Sequence, residues 1–205
     1  VYRSRLMGPD GEQRRRAAAA FAADDDFESF PYGFYAWCET ADQETEKTVY
    51  GLFHRYTVPL SENEIFLFYE EIGKDVPRDS DYMDRLARAA NDEDSPSRRS
   101  RALFGAYIMR HPDRGEFLEA AVSDGSPLVR YKAALLLGRY GDEGDLSRLL
   151  DLLGDEKREI RFKAAEGIRE KWMKPACRRL VADLMHLEPE IRRSEKGIVA
   201  EPLSC

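Results

Sequence analysis

Between Ser126 and Gly141 the chain reads SPLVRYKAALLLGRYG, with apolar residues at Val129, Ala133, Leu136, Leu137 and Tyr140. These positions gather on one side of a helix with about 3.6 residues per turn, which predicts an amphipathic helix with one buried face. Ser126 suits the cap position, Pro127 the first helical position and Gly141 the end. In the following EGDLSRLLDLLGDE, Leu146, Leu149, Leu150 and Leu153 predict a second buried face, stopped by Gly154. EIRFKAAEGIREKW then restates the first pattern, so the segment reads as helix, turn, helix, turn, helix.

The restatement is periodic. Arg99, Arg130, Arg161 and Arg192 fall in one register with a step of 31 residues (130 − 99 = 31, and likewise onward). Ala102, Ala133 and Ala164 share a second register, and Arg101, Lys132 and Lys163 a third. Val129, Ile160 and Ile191 each precede their arginine. Self-similarity at such a period predicts stacked helical pairs, each burying its apolar face against the next. Small alanines at 133, 134, 164 and 165 let the helices approach closely.

LVRYKAALLLGRYGD and LLDLLGDEKREIRFKAAEGI resemble HEAT repeats, particularly the short bacterial type that also occurs in phycobilin lyase subunits. The resemblance implies an Asp in each turn and an Arg early in the second helix, together forming a ladder that locks neighbouring repeats. Asp124 with Arg130, and Asp155 with Arg161, match that pattern, and Glu93 with Arg99 matches it with Glu in place of Asp. His186 stands at the equivalent place before Arg192, so the ladder is expected to end there. A turn carboxylate can accept hydrogen bonds from helix N-termini and from arginine, so the ladder also makes sense on physical grounds. The fold class this implies is all-α, a right-handed α-α superhelix of the HEAT/armadillo-like solenoid kind with a divergent N-terminal cap. The expected partition is a cap over 1–61, repeats of about 31 residues over 62–200, and a tail over 201–205.

Upstream, DGEQRRRAAAAFAA predicts a helix over 10–23 from alanine and arginine propensity. Residues 27–59 are rich in aromatics, among them Phe27, Phe30, Phe34, Trp37, Tyr50 and Phe53. KTVYGLFHRYTV within them is read as helical. Ser61 with Glu64 has the form of a capping box opening another helix. DYMDRLARAAND predicts one more, and Pro77 and NDEDSPS mark turns. Terminal repeats of a solenoid are atypical because one side faces water, which fits a divergent cap.

Composition narrows the function. The 205 residues are 42% hydrophobic and 35% charged, with net charge −7, a globular composition that disfavours bulk binding to nucleic acid or anionic membranes. Cys38, Cys177 and Cys205 have no metal-ligand spacing, which points to a reduced, cytoplasmic protein, and the HEAT resemblance implies a bacterial one. No apolar run is long enough to span a membrane, and VYRSRLMGPDGEQRRR lacks the apolar core of a secretory signal. His54, His111 and His186 are scattered, and no HExxH, GxSxG, P-loop or Rossmann pattern occurs. The repeated His-Glu dipeptides of HEAT-type metal hydroxylases are missing as well. Neither metal nor cofactor is therefore expected. Asp24, Asp25, Asp26 and Glu28 read as a solvated turn, and Cys177 beside Arg178 and Arg179 as an ordinary thiol.

A binding surface is the remaining expectation. In HEAT arrays the second helices line the concave side. There Arg101, Lys132 and Lys163, with Arg139 and Arg169, would offer cations, and Tyr107, Tyr131 and Phe162 aromatic contacts. Such a mixture can grip an acidic peptide or a phosphate backbone. The leading reading is a non-enzymatic scaffold for an unidentified protein or peptide. One alternative is a nucleic-acid-binding protein or HEAT-like DNA glycosylase, faintly suggested by Trp37 and Trp172. Another is a lyase-like or chaperone subunit.

Overall fold

A computed structural model of the chain describes residues 5, 6, 8, 10–24, 27–76, 78 and 80–172. The described residues form ten α-helices and no strand: α1 (Gly11–Asp24), α2 (Phe30–Glu39), α3 (Gln43–Thr57), α4 (Glu62–Lys74), α5 (Ser80–Ala90), α6 (Pro96–Ile108), α7 (Arg114–Val122), α8 (Pro127–Tyr140), α9 (Leu146–Leu152) and α10 (Arg158–Gly167). Short 3-10 turns occupy Phe27–Ser29 and Glu143–Asp145, and a π turn Ile168–Trp172 follows α10. The chain divides into two compact units, Val1–Lys132 and Ala133–Cys205, the boundary falling within α8.

In the first unit α2 is the centre. Its residues Phe30, Phe34, Tyr35, Ala36 and Cys38 are fully or almost fully buried. Edge-on ring contacts tie Phe30 to Phe21 of α1 and Phe53 of α3 at 5.5 and 5.4 Å. Phe34 meets Tyr69 of α4 at 5.1 Å and Phe104 of α6 at 6.1 Å. The Phe34–Tyr69 rings are tilted by 34° and the other three pairs are edge-to-face, a geometry that adds to simple area burial. Glycine permits two close approaches: a Cβ at Gly33 would stand 2.4 Å from the Phe21 ring, and one at Gly105 2.7 Å from the Cys38 sulfur. The capping box of α4 is formed, with the Glu64 carboxylate accepting from the Ser61 backbone N–H at 2.8 Å while the Ser61 hydroxyl accepts from the Glu64 backbone N–H. The segment KTVYGLFHRYTV is helical, as its reading required.

The helices α5 with α6, and α7 with the start of α8, are two successive tiles. Helix α6 ends in a Schellman motif: His111 N–H donates to the Ala106 carbonyl and Arg110 N–H to that of Tyr107. Arg110 itself sits at φ 57°, where glycine is the usual residue. His111 is buried beside it. Its Nδ1 accepts from the Asp113 N–H at 3.1 Å, which leaves Nε2–H to donate to the Met83 carbonyl at 3.2 Å.

The second unit buries Ala133, Ala134, Leu136 and Leu137 of α8, Leu146, Leu149 and Leu152 of α9, and Ile160 and Ala164 of α10. Leu152, rather than the expected Leu153, completes the buried face of α9, because the helix ends there and Leu153 turns outward. Helices α8 and α10 cross at Gly138 and Gly167, where a Cβ on either glycine would lie 3.0 or 2.8 Å from the other's Cα. Lys171 donates to the carbonyls of Arg139 and Gly141, closing the C-terminal end of α8.

Candidate functional site

The three turns between first and second helices share one construction. Each turn aspartate accepts the backbone N–H two residues on: Asp92 from Asp94 at 3.0 Å, Asp124 from Ser126 at 2.7 Å and Asp155 from Lys157 at 2.8 Å. Each following arginine then donates to two carbonyls of the same turn. Arg99 reaches Asp92 and Glu93, Arg130 reaches Asp124 and Gly125, and Arg161 reaches Asp155 and Glu156. In the first turn Asp92, not Glu93, supplies the carboxylate; Glu93 lends only its carbonyl and its side chain is exposed. That turn is one residue longer between Asp and Arg, which shifted the sequence alignment by one place.

Arg99 goes further. Its Nε and Nη2 each lie 2.8 Å from an oxygen of Asp124, in the next tile. Burial alone would push the Asp124 carboxyl up. The bonds from Arg99 and from the Ser126 N–H outweigh burial and hold it below the usual carboxylate range. Beside this pair, Leu103, Phe117, Ala121 and Val129 floor a cleft of about 430 Å³.

The expected cationic stripe is arranged differently from its reading. Arg101 is buried at 6% exposure. Its guanidinium donates to the Trp37 carbonyl at 2.8 Å, the Thr40 carbonyl at 2.8 Å and the Ser97 hydroxyl at 2.7 Å, and pairs with Glu46 at 2.7 Å. Burial pulls its pKa below the ordinary arginine value, and Glu46 acts in the opposite sense. Helix α2 covers the face of α6 that a regular array leaves open, so Arg101 is no ligand contact. Lys163 is likewise buried, its ammonium 2.6 Å from Glu166 on its own helix. Lys132 is half-buried with its ammonium 4.8 Å from the centre of the Phe104 ring, a cation–π contact. Tyr107, Tyr131 and Arg139 are half-buried. Arg169 is exposed and lies 3.4 Å from Glu170. Phe162 is 67% exposed. Lysine and arginine in this register therefore close intramolecular contacts, and the aromatic Phe162 is the large group presented to solvent.

A second polar cluster escaped the sequence reading. The buried carboxylate of Glu39, at the end of α2, accepts from Arg14 at 2.8 Å and faces Arg98 at 3.5 Å and Arg85 at 3.7 Å. Arg98 also donates to the Glu39 carbonyl at 2.6 Å and to Asp92 at 2.8 Å. The one sequence cue was the doubled Arg98–Arg99, the first residue of which has no counterpart in the later tiles.

Among the described residues no group of three His, Cys, Asp or Glu side chains is placed to hold a metal, and no helix is long and apolar enough to cross a membrane. Asp25, Asp26, Cys177, Arg178, Arg179, His186, Arg192 and Cys205 lie outside the described residues, as does the side chain of Trp172.

Residues 83–169 match the sequence model of HEAT repeats. The match spans α6 to α10 and most of α5, and the fold class is all-α with HEAT repeats, of the α-solenoid kind. No curated protein matches the chain.

Proposed function

Because residues 83–169 match HEAT repeats, we propose that the chain is a non-enzymatic interaction module holding a partner protein or peptide on α10, around Phe162. The observation that carries this reading is the 67% exposure of Phe162 on α10, one residue before the buried Lys163 and two before the buried Ala164. A large aromatic ring contributes nothing to the core from that position, whereas aromatic anchors of this kind dominate protein interfaces. Arg158, one turn before, and Arg169, two turns after, are exposed on the same helical side. The partner surface is accordingly an apolar pocket with acidic residues near it. HEAT repeats in general mediate protein–protein association, and a long array offers surface without a catalytic pocket. In this reading the border between cap and repeats lies after α4, since Tyr69 of α4 packs with Phe34 and Trp37 of the aromatic cluster. The free, buried Cys38 agrees with a reducing, cytoplasmic compartment.

A photoreactive phenylalanine analogue placed at 162 in cells tests the reading, with the same analogue at the exposed Glu143 as reference. The expected result is a discrete crosslinked species from position 162 that is absent from position 143. Identical products from both positions, or none from 162, overturn it.

A further inference from the structure

Three large apolar side chains are exposed at or beside the corner between α3 and α4. Phe27 is 59% exposed, Val58 64% and Leu67 58%. Phe27 stacks on the buried Phe30 at 4.3 Å and meets the half-buried Tyr56 edge-on at 5.3 Å, and Tyr56 stacks with the half-buried Phe68 at 6.5 Å. Phe68 adjoins Leu67 in α4. This corner belongs wholly to the first unit, whereas Phe162 belongs to the second.

Its rim is acidic. On α4, Glu64 stands three residues before Leu67, and Glu70 and Glu71 three and four residues after it, so all three neighbour that side chain on the helix surface. Glu62 lies on the same helix and Glu28 follows Phe27. Helices α3 and α4 carry only three lysines and arginines, Lys47, Arg55 and Lys74. Arg55 donates to the Ala22 carbonyl and Lys74 to Glu71.

We propose that this corner docks a cationic amphipathic helix of a partner protein. The occupant is specified by charge complementarity around an apolar centre. A helix with leucine- or phenylalanine-type residues on one stripe would cover Phe27, Val58 and Leu67, and lysines or arginines one turn to either side would face Glu64, Glu70 and Glu71. The described residues hold no strand edge for an extended peptide to join, and the acidic rim repels nucleic acid and anionic lipid.

The probe is a fluorescently labelled Lys/Leu amphipathic peptide of about 18 residues, or five turns, titrated against the full chain by anisotropy. The expected result is saturable binding with Kd on the order of 10 µM at about 50 mM salt. Binding should weaken about tenfold at about 500 mM salt. Leu67→Lys and Glu71→Lys should each weaken it about tenfold, with unchanged helical circular dichroism. Glu159→Lys, an exposed charge reversal on α10, and Phe162→Glu should leave it unchanged; the latter separates this site from the surface proposed above. Absence of saturation, equal binding of a Glu/Leu peptide, or a loss with Glu159→Lys matching that with Glu71→Lys overturns the proposal.

Discussion

Arg99 holds Asp124 across the boundary between two tiles, one guanidinium nitrogen to each carboxylate oxygen at 2.8 Å. Both side chains are mostly buried, at 14% and 13% exposure. The geometry is bidentate and charge-assisted, the kind of pair that contributes measurably to stability. The same guanidinium fastens its own turn, so one side chain joins two tiles.

Replacing Asp124 by Asn removes that acceptor charge and is expected to cost about 1.5–3 kcal/mol in urea unfolding. A double-mutant cycle with Arg99→Met should show coupling of about 1 kcal/mol or more. Because the carboxyl is held below its unfolded value of about 3.9, its contribution is present at neutral pH and is lost as pH falls below about 4. Coupling that is zero at pH 7 would show the pair to be incidental.

Arg101→Met is expected to destabilise by about 3 kcal/mol, since it leaves Glu46 unpaired and the Trp37 and Thr40 carbonyls without their donor. Arg101→Lys should recover only part, because one ammonium cannot replace the forked geometry. The measurement is the denaturation midpoint, together with partner crosslinking from position 162, which should persist wherever the variant is folded.

Two glycine substitutions should have opposite signs. Gly51 lies within α3 with nothing within 4 Å of an added Cβ, so Gly51→Ala is expected to stabilise by about 0.5–1 kcal/mol. Gly167→Ala pushes against the backbone of Gly138 at 2.8 Å and should destabilise by about 1–3 kcal/mol despite the better helix former. Thermal melts of the two variants check the contrast.

Burial pushes the Cys38 thiol far up, with Arg101 and Lys132 acting weakly against it. In a Cys177→Ser, Cys205→Ser background, Cys38 should resist thiol reagents at pH 8 in the native state and react at once in denaturant. The folded state keeps the proton that the unfolded thiol releases above about pH 8.5. Stability is therefore at its full value below that pH and declines above it, by at most about 1.4 kcal/mol per pH unit from this group. Tyr35 and Tyr69, also raised chiefly by burial, add to the decline above about pH 10. A flat urea midpoint between pH 8 and 11 would contradict this.

The tiles were legible because their information is periodic. Arg130 and Arg161 stand one step apart and make the same two carbonyl contacts in consecutive turns. Arg101, Lys132 and Lys163 show the limit of that logic. They share a register, yet one is buried under α2, one rests on the Phe104 ring and one pairs with Glu166. Spacing reports which helical side a residue occupies; it is silent on which element covers that side. The covering element here is an aromatic helix with no periodic relation to the repeats. Asp92 was missed for a simpler reason, a turn one residue longer than its successors.

The contacts of Arg98 and Arg101 with the end of α2 bear on how such a chain can change its length. Internal duplication lengthens a solenoid when the copied unit fits beside any neighbour. A copy of residues 80–113 inserted among the later tiles would bring a buried guanidinium to a place where no helix end offers it carbonyls. A copy made from a later tile carries no such demand. Adding or removing a repeat beyond Asp113 therefore leaves the contacts of Arg98 and Arg101 with α2 intact, whereas a change before it disturbs them.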